Sequence, residues 1–167
     1  MKKTVASAVV ALVVACGAVA LVAQGGSAHV MSATKDAQWG PAPPFIPVGA
    51  QIAVLSGDPG KAVPYAVRLK FPAGYAIAAH SHPTDENVVV TSGSLTFGMG
   101  DKLTKGASNK MLATGGYALM PAHMNHFAYT TSAETTIVLY GVGPVEFKYV
   151  NAADDPRNAK KETAEAR

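Results

Sequence analysis

The most constraining feature of this sequence is a series of short β-type runs, closely punctuated by Gly, Pro and Asn/Asp turns, over residues 50–150. Such runs are too short to bury themselves, so each must cover one face with a neighbour, which is the logic of a sandwich or barrel. The clearest run is residues 63–71. Tyr65, Val67, Leu69 and Phe71 alternate there with Ala66, Arg68 and Lys70, a period of two with one apolar face. Further runs are expected over residues 51–55, 87–91, 95–99, 117–120, 126–131, 135–140 and 145–150. Ser92-Gly93 reads as a hairpin turn between two of them, and residues 101–110 read as a polar loop. No amphipathic helical stretch of convincing length interrupts the series, so the expected class is all-β.

The 167 residues leave room for one domain with a real core. Residues 29–49 are polar and Pro-rich and predict an extended arm, with Trp39 and Phe45 as packing anchors. The barrel itself is expected over 50–150. Residues 151–167 form a polar tail of alternating sign, whose end from 158 onward reads as disordered or frayed helix. The formal charge of +3 overstates the basic character. Without Lys2 and Lys3, 12 basic residues face 11 acidic ones, scattered along the chain. A nucleic-acid partner is therefore not expected.

Residues 1–28 read as a secretion signal. Lys2 and Lys3 precede an uncharged apolar run from Val5 to Ala23, and Gly26 and Ala28 supply the small residues for a cut before His29. Ala23 and Gly25 offer a second cut. Two other readings compete: an uncleaved anchor, since about 20 apolar residues span a bilayer, and a lipoprotein modified at Cys16. A periplasmic or secreted protein with no membrane attachment is the expectation taken forward. Cys16 is the only cysteine, so a cleaved chain holds metal through His and carboxylate or not at all.

Histidine carries the chemistry. His80 and His82 sit two apart, so on a strand both imidazoles project from one face. Glu86 follows a Pro83-Thr84-Asp85 turn that can return its carboxylate to the same cavity, and His126 can approach from across a barrel. Three imidazoles and a carboxylate suit one divalent transition metal, with Fe, Mn, Ni, Co, Cu and Zn all compatible.

The stretch from Gly74 through His80, His82 and Glu86 to Gly93 resembles the first cupin motif, with all five fixed positions at the family spacing. The second motif is matched in part: Gly115, Pro121 and His126 fall in register, while His123 stands where the family has Gly and Thr130 where it has Asn. The resemblance implies a double-stranded β-helix (jelly-roll-like) barrel of six to eight strands, with the extended arm in front of it. It further implies that His80, His82, Glu86 and His126 are the metal ligands, Glu86 being alternatively a base beside the ion. His123 is a candidate proton shuttle or a surface residue of the turn. Phe97 and Met99, which share parity with Leu95, together with Met120, Met124, Phe127 and Tyr140, are candidate pocket residues or ordinary core.

Two functions fit this reading. One is a metal-dependent small-molecule enzyme, dioxygenase-like as in the quercetinase and diketone-cleaving cupins, or isomerase-like. The other is a non-catalytic periplasmic protein that binds or senses a small ligand or the metal. No helix-turn-helix or other output module is recognisable, so the resemblance to cupin sensor domains of anti-sigma factors is confined to the barrel. A homodimer assisted by Trp39 and Phe45 is the expected assembly by family analogy.

Overall fold

The alternation read over residues 63–71 becomes strand β3 (Pro64–Phe71), with Tyr65, Val67, Leu69 and Phe71 buried and the residues between them half-buried. The computed structural model describes residues 30–158. The expected signal segment 1–28 with Cys16, the residue His29 that follows it, and the tail from residue 159 lie outside the described residues. Around β3 are β1 (Gly40–Pro41), β2 (Gln51–Ser56), β4 (Ala76–Ser81), β5 (Glu86–Ser92), β6 (Ser94–Met99), β7 (Lys110–Ala113), β8 (Tyr117–Met120), β9 (His126–Thr130), β10 (Thr135–Val142) and β11 (Lys148–Tyr149). They form two antiparallel sheets, one in the order β1-β2-β3-β10-β5-β8 and the other β11-β4-β9-β6-β7. This is the all-β, two-sheet barrel that the resemblance implies.

The core lies between the sheets. Leu69, Phe71, Ile137 and Leu139 from the first sheet meet Ile77, Leu95, Phe97 and Ala128 from the second. Burial of each large apolar side chain contributes about 2 kcal/mol, which is why the period-two pattern decides which face turns inward.

The strand count exceeds the six to eight expected. The arm adds β1 to the edge of β2, the chain end adds β11 to the edge of β4, and β7 is exposed along most of its length, so it carries no alternation to read. Residues 145–150 shrink to the two-residue β11; the residues before it are irregular and lay Phe147 across the interior.

Ser92-Gly93 is not a hairpin. β5 pairs with β10 and β8, whereas β6 pairs with β7 and β9, so the chain turns a corner from one sheet to the other. Gly93 has φ 76, and a Cβ there would stand 2.5 Å from the Glu134 carbonyl oxygen. Apolar parity could not separate the two turns, because Val90 and Leu95 face the core in either case.

The arm is docked rather than free. Ala42 N–H donates to Ala50 O at 3.1 Å, and Phe45 stacks on Phe147 with ring centroids 5.1 Å apart. Ile46 joins the core. Trp39 anchors the outer face instead, beneath the Lys70 ammonium at 4.4 Å, a contact worth about 0.5–1 kcal/mol.

Candidate metal centre

β4 and β9 are neighbours in one sheet, in register at Ile77 with Ala128 and at His80 with His126. The step from Ile77 to His80 spans one residue more than the step from Ala128 to His126, so β4 carries a bulge. Without it, an inward Ile77 would leave His80 facing out. The extra residue re-aims His80, and His82 two places on, at the interior, as bulges beside functional sites commonly do. His126 therefore arrives from the adjacent strand, not from across the barrel. Glu86 is the residue that comes from across: it opens β5 in the opposite sheet.

The three imidazoles are buried, and their ligand nitrogens all lie within 4.8 Å of one another. Each ring is oriented by a backbone carbonyl. His80 Nδ1–H donates to Ala78 O at 2.7 Å, His82 Nδ1–H to Glu146 O at 2.8 Å and His126 Nδ1–H to Met124 O at 3.0 Å. A carbonyl only accepts, so each Nδ1 carries the proton and each Nε2 presents a lone pair to the interior. Glu86 adds Oε1 at 3.4 Å from His82 Nε2 and Oε2 at 4.0 Å from His126 Nε2.

Burial dominates the electrostatics. It lowers the pKa of all three imidazoles, His80 well below the ordinary value with the charges of His126 and His82 adding to the effect. Burial likewise pushes the Glu86 carboxyl up to about 7, against an opposing pull from His126. The imidazoles are neutral and ready to ligate. His82 Nε2 is buried with no hydrogen-bond partner, a position a cation satisfies and hydrocarbon does not. Three fixed lone pairs, one of them on the orphaned His82 Nε2, and an adjacent carboxylate fit one divalent transition metal, held by His80, His82 and His126 with Glu86 alongside.

The second-motif turn is tied to the first. His123 N–H donates to His82 O at 2.8 Å, and Asp85 Oδ1 accepts from Ala122 N–H at 2.8 Å. His123 has φ 64, the left-handed region that glycine enters freely, and its side chain is exposed. Thr130 is fully buried; its Oγ1 accepts from Tyr75 N–H at 2.8 Å and donates to Pro72 O at 2.7 Å. A side-chain acceptor and donor at this point locks the start of β4 to the end of β9.

One cavity reaches the site and a second lies near it. One of about 30 Å³ touches His80, Glu86 and His126. The other, a cleft of about 310 Å³ at the β7–β8 edge, is lined by Phe97, Met99, Leu112, Tyr117 and Met120 with Asn109 and Lys110 as polar groups. Phe97 borders both. Met99 and Met120 stand in register with His126 and Glu86 respectively, Met99 at the rim with 52% exposure. Tyr140 faces the other way: Gly141, not Tyr140, is in register with Glu86. Met124 is exposed in its turn, and Phe127 packs with Ala79 and Tyr129 in a second, smaller cluster. Sequence reasoning missed Phe147, whose ring lies flat on His80 at 4.3 Å and 9°, and the Glu146 carbonyl that orients His82. The only sequence signal for either was an apolar run read as a strand.

A two-sheet antiparallel barrel with three imidazoles converging on its interior defines a cupin. Within that superfamily the chain belongs to the family of the ChrR cupin-like domain, whose model matches residues 27–146. Among solved structures it is similar to the polyketide cyclase RemF from Streptomyces resistomycificus, at 13% identity and a TM-score of 0.62, covering 80% of this chain and 94% of that one. It is also similar to an RmlC-like cupin from Shewanella frigidimarina, at 17% identity and a TM-score of 0.53, covering 70% and 93%. The DMSP lyase DddQ from Ruegeria pomeroyi matches at 21% identity and a TM-score of 0.51, covering 65% and 57%. At these identities the likeness is one of fold. No curated protein matches the chain.

Proposed function

We propose that the protein is a metal-dependent enzyme acting on a small organic substrate, of the oxygenase type. The observation that carries this reading is the set of three Nε2 lone pairs fixed by three backbone carbonyls, beside a cleft of ligand size. A bound divalent ion supplies Lewis-acid polarisation or, for a redox metal, dioxygen chemistry. The chain's own residues supply the rest. Phe97 and Met120 hold an apolar substrate body against the metal side, while Asn109 and Lys110 receive a polar end. Glu86, with its carboxyl near neutrality, gives or takes a proton next to His82. The fold does not choose the reaction, since its structural relatives include a cyclase and a lyase. The test is dioxygen uptake over a panel of diketones and flavonoids, on protein loaded in turn with each divalent transition metal. Turnover with at least one metal is expected; none with any metal would refute the oxygenase reading.

A second reading, a non-catalytic binder or sensor, draws on one observation. The cavity touching the ligands is only about 30 Å³, room for one or two waters, and it shares Phe97 with the larger cleft. Ligand-induced thermal stabilisation without turnover would favour this class. For either function we propose an exported protein, on the strength of the apolar run from Val5 to Ala23. Mass spectrometry of the periplasmic fraction should find a mature N-terminus at His29 or Gly26; an intact Met1 there would rule cleavage out.

A further inference from the structure

Phe147 borders two cavities of different size, one that reaches the ligand residues and one that does not. One face of its ring lies on His80, and its edge meets His82 with centroids 4.6 Å apart. Behind it is a cavity of about 150 Å³ walled by carbon, chiefly Phe45, Ile46, Val67, Leu69, Val145 and Phe147 itself. The walls are held in place by specific bonds. Tyr149 Oη donates to Phe45 O at 2.8 Å, fixing the arm as one side. Val145 N–H donates to Pro59 O at 2.7 Å and Gly143 N–H to Val63 O at 3.1 Å, fixing the lip.

Left unfilled, this partly open cleft exposes apolar wall to solvent, and a larger apolar residue at Val67 or Val145 would cover it. Its carbon walls offer water none of the two to four polar partners it needs, and a volume of ~150 Å³ matches a benzene-sized guest. The metal-side cavity is several times smaller, with His80, Glu86 and His126 set among otherwise apolar walls, so it has no room for a guest of that size. We propose that the cavity behind Phe147 is a second ligand site, for an uncharged apolar molecule of about one six-membered ring. We propose further that Phe147 transmits its occupancy to the metal centre. The first half stands without the metal; the second rests on the metal-binding reading above.

Benzene is the probe, titrated into the full-length chain in metal-free and zinc-loaded form, with pyrimidine as a polar ring of the same size. Benzene should raise Tm by a few degrees and shift the methyl resonances of Val67, Leu69 and Leu139, leaving those of Met99 and Met120 in place. Pyrimidine should do neither. Val145→Phe puts a ring into the cavity and should abolish both responses; if that variant does not fold, Val145→Leu should weaken them. Zinc affinity should change about fivefold when benzene is bound. No response to benzene, an equal response to pyrimidine, or shifts confined to Met99 and Met120 would overturn the site. Unchanged zinc affinity with the cavity occupied would overturn the link through Phe147. A chain that responds to benzene but never binds zinc would leave the cavity standing and count against the metal centre.

Discussion

Residues 74–93 deliver His80 and Glu86 from strands in two different sheets, with His82 just past the end of β4, and end on a glycine corner that joins those sheets. Residues 115–130 deliver one ligand, His126, from the first position of β9, and depart from the family pattern at His123 and Thr130. The difference lies in what each position must supply. A ligand nitrogen in the first segment has no substitute, and neither does Gly93, whose missing Cβ makes room for the Glu134 carbonyl. Thr130 meets a requirement that several polar side chains can meet, an acceptor for Tyr75 N–H and a donor to Pro72 O. His123 meets a conformational requirement imperfectly, adopting a left-handed backbone that glycine would take without strain.

Five variants break or sharpen that contrast. The His80→Ala/His82→Ala double variant should lower metal affinity by on the order of a hundredfold or more, since even residues that only orient ligands are worth 10–100-fold; competition with a chromogenic chelator reads it. Gly93→Ala should destabilise by about 3 kcal/mol, combining left-handed strain with the clash against the Glu134 carbonyl, and denaturant unfolding measures it. Thr130→Val keeps the volume and removes the hydroxyl, leaving the buried Tyr75 N–H without its acceptor and Pro72 O without its donor. It should cost about 2 kcal/mol, and Thr130→Asn should recover part of this in the same assay. The smallest effect belongs to His123→Gly. Relief of strain outweighs the extra freedom glycine gives the unfolded chain, so stability should rise by about 0.5 kcal/mol with the metal content unchanged. A fall in metal content in that variant would mean that His123 contributes to the centre after all.

Much of the site could be read from residue spacing, because ligand identity is a local property. The His-x-His pair, Glu86 and His126 all reach one interior. How they reach it was less legible. The bulge between Ile77 and His80 leaves no mark in a period-two pattern, since one inserted residue looks like a one-place change of phase. The same insensitivity made Tyr140 look like a pocket residue, although Gly141 holds the inward position beside Glu86. It also let Ser92-Gly93 pass for a hairpin, because a two-residue turn and a sheet-to-sheet corner use the same residues. Phe147 and the Glu146 carbonyl lie far along the chain from the histidines they pack against and orient, and no motif links them. Tertiary packing alone makes them part of the centre.

The central claim is that three neutral imidazoles, each oriented by a backbone carbonyl, hold one metal ion. X-ray absorption at the metal edge of the loaded full-length protein tests it most directly. The account predicts a shell of nitrogen and oxygen only, at ~2.0–2.2 Å, with the outer-shell scattering of three imidazoles. A shell with one imidazole or none, or a folded protein that takes up no metal on reconstitution, would contradict it.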